Sequence, residues 1–149
     1  DEAGRQNCLE GNCPAGTEEN DGQCHPCRRG YMSTEGGTCR ACAQGTFALR
    51  NGSQCESCPV GMVAEKAGSV ACSACPAGKH EERRQFCSAC APGTMSAAGS
   101  SSCTTCKAGF HAASPGSSAC EICAAGTFSE EGSPKCASCS PGTVSEAAS

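Results

Sequence analysis

Eight Cys-x-x-Cys pairs recur along the chain, and their spacing constrains its fold more than any other feature of the sequence. The pairs begin 15 to 17 residues apart. A period this short predicts a tandem array, in which each unit is stabilised by its neighbours, rather than one globular core. The pairs are Cys24/Cys27, Cys39/Cys42, Cys55/Cys58, Cys72/Cys75, Cys87/Cys90, Cys103/Cys106, Cys120/Cys123 and Cys136/Cys139.

Division of the chain at these cysteines gives eight complete repeat units of about 16 residues and a ninth, open one. A lead-in, residues 1–12, precedes them, and the open unit covers residues 139–149. The complete units begin at Cys13, Cys27, Cys42, Cys58, Cys75, Cys90, Cys106 and Cys123.

Every unit has glycine at the third position after its first cysteine. Glycine adopts positive φ without strain, so this position predicts a tight turn. Cys13–Gly16 suits a type I turn, whereas Ala91–Thr94 and Ser140–Thr143 suit type II. Two or three residues of strand character and a second turn follow, so each unit is predicted to be a short irregular hairpin. The glycines are Gly16, Gly30, Gly45, Gly61, Gly78, Gly93, Gly109, Gly126 and Gly142.

The chain has too few large apolar residues for an ordinary core. Leu, Ile, Val and Phe together number 11 of 149 residues, and Trp is absent. Burial of so little apolar surface does not offset the conformational entropy of an ordered chain, so cross-links must hold the fold. A deep apolar pocket is excluded on the same grounds, and we expect no enzymatic activity and no cofactor. The residue two after each glycine is apolar in six of nine units and is predicted to cover the nearest disulfide.

The 18 cysteines indicate an oxidising compartment, either extracellular or at a cell surface. Cys-x-x-Cys pairs also bind zinc, but the gaps between these pairs, 11 to 13 residues, are shorter than those of a zinc ribbon. We therefore favour disulfides over metal. The net charge of −4 argues against general nucleic-acid binding, and no apolar run is long enough to insert in a membrane.

The repeating pattern C-x-x-C-x-x-G-T-[FMV]-S-x-x-G-S-x-x-C-x-x-C is clearest at Cys90–Cys106 and Cys123–Cys139. It resembles the ephrin-receptor-like cysteine-rich repeat, a relative of TNF-receptor-type and EGF-like modules, over residues 13–149. The resemblance implies a small disulfide-rich fold: an elongated, rod-like or solenoid-like array of short β-hairpin units with almost no helix. It also implies an extracellular location, in a receptor ectodomain, an adhesion protein or a large surface protein.

The residues alone leave two disulfide schemes open. The crossed scheme pairs Cys24 with Cys39 and Cys27 with Cys42, and closes Cys8 on Cys13. The family resemblance favours the hairpin scheme, in which each unit closes on itself and Cys8 and Cys139 are left over. Its pairs are Cys13–Cys24, Cys27–Cys39, Cys42–Cys55, Cys58–Cys72, Cys75–Cys87, Cys90–Cys103, Cys106–Cys120 and Cys123–Cys136.

The two leftover cysteines lead to a hypothesis of assembly. Cys139 of one copy would pair with Cys8 of the next, and such a head-to-tail contact forms an open filament. In the alternative, Cys139 pairs with a cysteine farther along a longer protein.

Three further features are candidate sites. Asn51-Gly52-Ser53 is an N-glycosylation sequon in a predicted hairpin tip. The unit from Cys75 to Cys87 departs most from the pattern and carries Glu81, Glu82, Arg83 and Arg84, either as a partner contact or as a solvated mixed-charge loop. His80 and His111 occupy the position two after the glycine, where covering a disulfide is a plainer role than metal binding or a pH switch.

Two functions follow from these features. The first is an extracellular structural rod or fibre that polymerises with other copies of itself and carries glycans. The second is a ligand-binding or adhesion segment of a receptor ectodomain, with a protein ligand bound by the middle units, notably residues 75–87.

Overall fold

The structure, a computed structural model, describes residues 12–143 and contains sixteen short β-strands and no helix in that range. Cys8 and Val144 lie outside the described residues. The strands are β1 (Thr17–Asn20), β2 (Gln23–Pro26), β3 (Tyr31–Met32), β4 (Arg40–Ala41), β5 (Thr46–Phe47), β6 (Glu56–Ser57), β7 (Met62–Val63), β8 (Ser73–Ala74), β9 (Lys79–Glu82), β10 (Phe86–Ala89), β11 (Thr94–Met95), β12 (Thr104–Thr105), β13 (Phe110–His111), β14 (Glu121–Ile122), β15 (Thr127–Phe128) and β16 (Ala137–Ser138).

Consecutive strands pair into eight two-stranded sheets, one for each complete repeat unit. The pairing is antiparallel, as in β11–β12, where Thr94 faces Thr105 and Met95 faces Thr104. The prediction of a disulfide-rich array of short hairpins is therefore confirmed. Within residues 12–143 no helix is long and apolar enough to cross a membrane.

The described residues divide into two compact bodies. The first contains residues 12–59, 63–73 and 83–86, and the second contains residues 60–62, 74–82 and 87–143. In each body the same hydrogen-bond pattern joins a repeat unit to the next, so both bodies have the same local architecture.

The first turn of each unit is a type II turn with glycine at its third position. Gly93 has a φ of 81°, and the Thr94 N–H donates to the Ala91 oxygen at 3.1 Å. The Thr94 hydroxyl donates to the same oxygen at 2.7 Å, which explains why threonine often follows the glycine. The type I turn predicted for Cys13–Gly16 is wrong: the Thr17 N–H bonds to Pro14, so Gly16, with a φ of 83°, occupies the third position of a type II turn.

Three backbone hydrogen bonds connect each of six complete units to the next, those that begin at Cys13, Cys27, Cys42, Cys75, Cys90 and Cys106. In the second body, the Gly93 N–H donates to the Ala112 oxygen at 2.8 Å, the Gly116 N–H to the Cys90 oxygen at 2.8 Å, and the Cys106 N–H to the Gly93 oxygen at 2.9 Å. In the first body, the Gly30 N–H donates likewise to the Ala48 oxygen at 2.8 Å. Each of these hydrogen bonds contributes about 1 kcal/mol net to stability, so many weak interactions together hold the units in contact.

The fully buried side chains are small. The first cysteine of each complete unit is at most 1% exposed, and the other buried position is three residues after the glycine. The buried residues at that position are Ser33, Ala48, Ala64, Ser96, Ala112 and Ser129.

The serines at this buried position bond to the unit before them. The Ser96 hydroxyl donates to the Lys79 oxygen at 2.9 Å, and the Ser129 hydroxyl to the Phe110 oxygen at 2.8 Å. A side chain against a neighbouring backbone at this distance must be small. Among residues 12–143, the residue two after the glycine, predicted to cover the nearest disulfide, is fully buried only at Val63, and Phe128 is 41% exposed.

Candidate functional site

Eight disulfides follow the hairpin scheme, and the crossed scheme does not occur among residues 12–143. They join Cys13–Cys24, Cys27–Cys39, Cys42–Cys55, Cys58–Cys72, Cys75–Cys87, Cys90–Cys103, Cys106–Cys120 and Cys123–Cys136. Closing loops of this length stabilises a fold by about 3 kcal/mol each in the chain-entropy model. The disulfides therefore fix the scaffold on which any site is placed.

Cys139 is the one free cysteine among the described residues, and it is half-buried. Its N–H donates to the Gly126 oxygen at 3.0 Å. The turn that follows it is formed, because the Thr143 N–H bonds to the Ser140 oxygen at 3.0 Å and Gly142 has a φ of 85°. Cys139 thus begins a ninth unit with normal geometry, and its pairing with Cys8 of another copy stays a prediction.

Two histidines contact disulfides. The Nδ1 atoms of His80 and His111 lie 3.2 Å from the Sγ atoms of Cys103 and Cys136, respectively. The His111 Nδ1 is also 3.2 Å from the Glu121 carbonyl oxygen, and its Nε2 is 3.9 Å from the Glu121 carboxylate. Each histidine covers the disulfide of the following unit, a detail that the sequence pattern did not specify.

The hairpin of β9 and β10 differs from most others in its length and its turn. Both strands have four residues, whereas most strands have two. Its turn residues Arg83 and Arg84 have positive φ values of 55° and 61°. The Arg84 oxygen nevertheless accepts a hydrogen bond from the Ala64 N–H at 3.0 Å, as the corresponding residues of other units do.

Two arginines in this conformation are unfavourable, since non-glycine residues in the left-handed region cost about 1–2 kcal/mol each. The other hairpin of four-residue strands, β1–β2, also has two positive-φ residues in its turn, but they are Asp21 and Gly22, which tolerate this conformation better than arginine, and its turn has two residues where the β9–β10 turn has three. The sequence identified the arginines as unusual by charge, but their backbone conformation became apparent only from the structure.

The side chains of the segment Arg83–Phe86, which we call the arginine tip, face solvent in part. Arg83 is exposed and Phe86 is 44% exposed. Among residues 12–143, no carboxylate lies within 4 Å of either guanidinium group. The tip therefore contains two arginines without a carboxylate partner in the described residues and, two residues after Arg84, an aromatic ring that is exposed.

Asn51 of the sequon is exposed and has a φ of 62°, in the position that glycine occupies in most units. Its N–H donates to the Cys27 oxygen at 3.4 Å, while Ser53 of the sequon is exposed. The backbone of Asn51 is thus part of the inter-unit contact, and its side chain lies at the surface. Glycosylation at Asn51 stays a prediction.

A family model described as tyrosine-protein kinase ephrin type A/B receptor-like matches the chain twice, over residues 30–71 and 45–85. The match covers residues 30–85, so this part of the chain is similar to ephrin-receptor-like repeats. The two matches are offset by 15 residues, which is about one repeat unit, so the family pattern recurs in step with the disulfide-bonded hairpins of this cysteine-rich repeat array. No curated protein matches the chain. Repeats of this kind and a high density of disulfides are typical of extracellular or cell-surface proteins.

Proposed function

We propose that this repeat array is a segment of an extracellular, receptor-like ectodomain that binds a protein ligand through the arginine tip. The receptor-like family match and the dense disulfides support the extracellular part of the proposal. The observation that supports binding at this place is the pair of left-handed arginines, Arg83 and Arg84.

The chemistry of the tip favours an acidic protein surface as the partner. Arginine and aromatic side chains are enriched among the residues that dominate binding energy at protein interfaces. The guanidinium groups of Arg83 and Arg84 have no carboxylate partner among the described residues, so a ligand carboxylate would not have to displace one. The exposed ring of Phe86, in the same segment of the chain, supplies apolar surface.

The scaffold beneath the tip is suited to presenting it in one conformation. The Arg84 carbonyl is hydrogen-bonded to Ala64, and a Cβ on Gly45 would lie 3.3 Å from the Arg83 oxygen. The tip backbone therefore packs closely on two other units of the first body. A preorganised tip loses less conformational entropy on binding.

The test measures binding of the oxidised array, prepared as a fluorescent multimer, to a panel of cell lines. The variant Arg83→Asn with Arg84→Gly places residues that tolerate positive φ at both positions while removing both charges. We expect it to fold and to lose cell binding, whereas Arg29→Gln, at another exposed arginine, retains it. Binding abolished by protease treatment of the cells identifies a protein partner. Equal binding by the two variants, or loss of binding on removal of sulfated glycans, contradicts the proposal.

Covalent self-assembly is a second candidate, and the free Cys139 thiol in a correctly formed first turn is the observation that favours it. The family match supports a receptor-like segment and gives no support to a fibre. We expect head-to-tail joining to give a ladder of multimers on a denaturing gel without reductant, and Cys139→Ser to abolish it. A single band for the parent chain contradicts this candidate and leaves the ligand-binding proposal standing.

A further inference from the structure

The disulfides Cys90–Cys103 and Cys123–Cys136 differ from the others in having an imidazole nitrogen against one sulfur. The nitrogen is the Nδ1 of His80 in the first case and of His111 in the second, each at 3.2 Å. In each group the histidine nitrogen and both cysteine sulfurs lie within 4.8 Å of one another. Both histidines lie two residues after the glycine of the preceding unit. Before five of the other disulfides, the residue at this position is Glu18, Met32, Phe47, Val63 or Met95.

We propose that Cys90–Cys103 and Cys123–Cys136 are sites of thiol–disulfide exchange, opened by an external dithiol ahead of the other six disulfides. The physical reason is stabilisation of the thiolates that reduction creates. An imidazole N–H that donates to a thiolate, or an imidazolium beside it, favours the charged sulfur. A disulfide whose reduced form is stabilised in this way is the stronger oxidant.

Access decides the order of the chemical steps. Cys103 and Cys136 are half-buried, whereas Cys90 and Cys123 are fully buried. A thiolate of the dithiol therefore attacks the Cys103 Sγ, the disulfide breaks, and the electron pair leaves with the Cys90 sulfur, which takes up a proton. The second thiolate of the dithiol then attacks the dithiol sulfur of the mixed disulfide, and Cys103 leaves as a thiolate.

The products of the two steps are a pair of protein cysteines and a cyclic disulfide, so two electrons pass from the dithiol to the protein. His80 acts on both leaving groups. It lies 3.2 Å from the sulfur released in the second step and within 4.8 Å of the sulfur released in the first. The same steps apply to Cys136 and Cys123 with His111, whose Nε2 is 3.9 Å from the Glu121 carboxylate.

The first body offers a natural contrast. Glu18 occupies the corresponding position before Cys27–Cys39, and its carboxylate accepts a hydrogen bond from the Cys39 N–H at 3.0 Å. A carboxylate near a forming thiolate disfavours it by like-charge repulsion. The inference therefore predicts three classes of disulfide: histidine-covered ones open fastest, those with an apolar residue at this position are slower, and Cys27–Cys39 is slowest.

The test follows each disulfide separately in the oxidised full chain. Samples taken during treatment with dilute dithiothreitol are quenched in acid, alkylated and digested, and mass spectrometry gives the labelled fraction of each cysteine. We expect Cys90, Cys103, Cys123 and Cys136 to become labelled about tenfold faster than Cys58 and Cys72. Equal rates across the eight disulfides would overturn the inference.

Substitutions separate an imidazole effect from a packing effect. His80→Met places at this position the residue found in two other units, and we expect Cys90–Cys103 to open about tenfold more slowly while Cys123–Cys136 is unchanged. If His80 acted only by covering the disulfide, its loss would speed reduction. The gain-of-function variant Met95→His should make Cys106–Cys120 open as fast as the two histidine-covered disulfides. Faster opening of His80→Met, or no change in Met95→His, contradicts the proposal.

Discussion

Replacing Gly93 by alanine should be far more damaging than the same change at Gly126, although the two glycines have the same φ of 81°. A Cβ on Gly93 would lie 1.9 Å from the Gly132 oxygen and 2.7 Å from the Gly132 carbonyl carbon. At Gly126, no described atom lies within 4 Å of the Cβ position. The pair therefore separates the cost of the backbone conformation from the cost of the close approach between units.

The conformational cost applies to both variants and is about 1–2 kcal/mol, since alanine disfavours the left-handed region. At Gly93 the backbone around Gly132 must also move away by about 1.5 Å to reach an ordinary contact. That movement strains two inter-unit hydrogen bonds, from the Gly93 N–H to Ala112 and from the Gly132 N–H to Cys106, both 2.8 Å long. Each contributes about 1 kcal/mol, so the expected loss for Gly93→Ala is about 3–4 kcal/mol.

Native-state hydrogen exchange measured by mass spectrometry resolves the two variants. The protected amides of residues 106–116 report the inter-unit contact, and the extra ~2 kcal/mol corresponds to roughly 30-fold faster exchange in Gly93→Ala than in Gly126→Ala. All disulfides stay closed in both proteins, which non-reducing mass analysis verifies. Equal acceleration in the two variants would show that φ alone requires the glycine, and the argument from close approach would be refuted.

Three further predictions test other contacts. Arg83→Asn with Arg84→Gly should stabilise the arginine tip by about 1–2 kcal/mol, measured as slower hydrogen exchange of residues 83–86, because both replacements tolerate positive φ. Ser96→Ala should destabilise its unit by about 1 kcal/mol through loss of the hydroxyl bond to Lys79, whereas Ser96→Val should cost more, since the site has no room for extra methyl groups. If Asn51 carries a glycan in secreted material from eukaryotic cells, intact mass will fall by the glycan mass in Ser53→Ala, which leaves the Asn51 backbone unchanged.

The hairpin array was predictable because the chain repeats its own pattern. Nine glycines at one position show a geometric requirement without any second sequence, and the structure gives eight disulfide-bonded hairpins with that glycine at positive φ. The second reason for the glycine was not predictable. The Cβ clash of Gly93 is with Gly132, which lies two units farther along the chain. Spacing along the sequence does not specify which units approach each other.

The buried position three after the glycine was missed, although the sequence contained a signal for it. Seven of nine units have serine or alanine there, and the exceptions are Glu19 and Glu81. The large apolar residue beside it was predicted to be the buried one instead, because apolar side chains are usually the buried ones. Here the limiting quantity is space against a neighbouring backbone, so residue size predicts burial better than hydrophobicity does.

The inter-unit contacts explain why this array tolerates an unusual tip. Most of the hydrogen bonds that join units are donated and accepted by the backbone, as at Gly93, Ala112 and Cys90, and the disulfides close within units. Side chains in the second turn are therefore free to vary as long as the backbone adopts the required conformation. Arg83 and Arg84 adopt it at an energetic cost that glycine or asparagine would avoid. The ligand-binding role that we propose for their side chains would account for that cost, and the binding test with Arg83→Asn and Arg84→Gly measures stability and recognition in one variant.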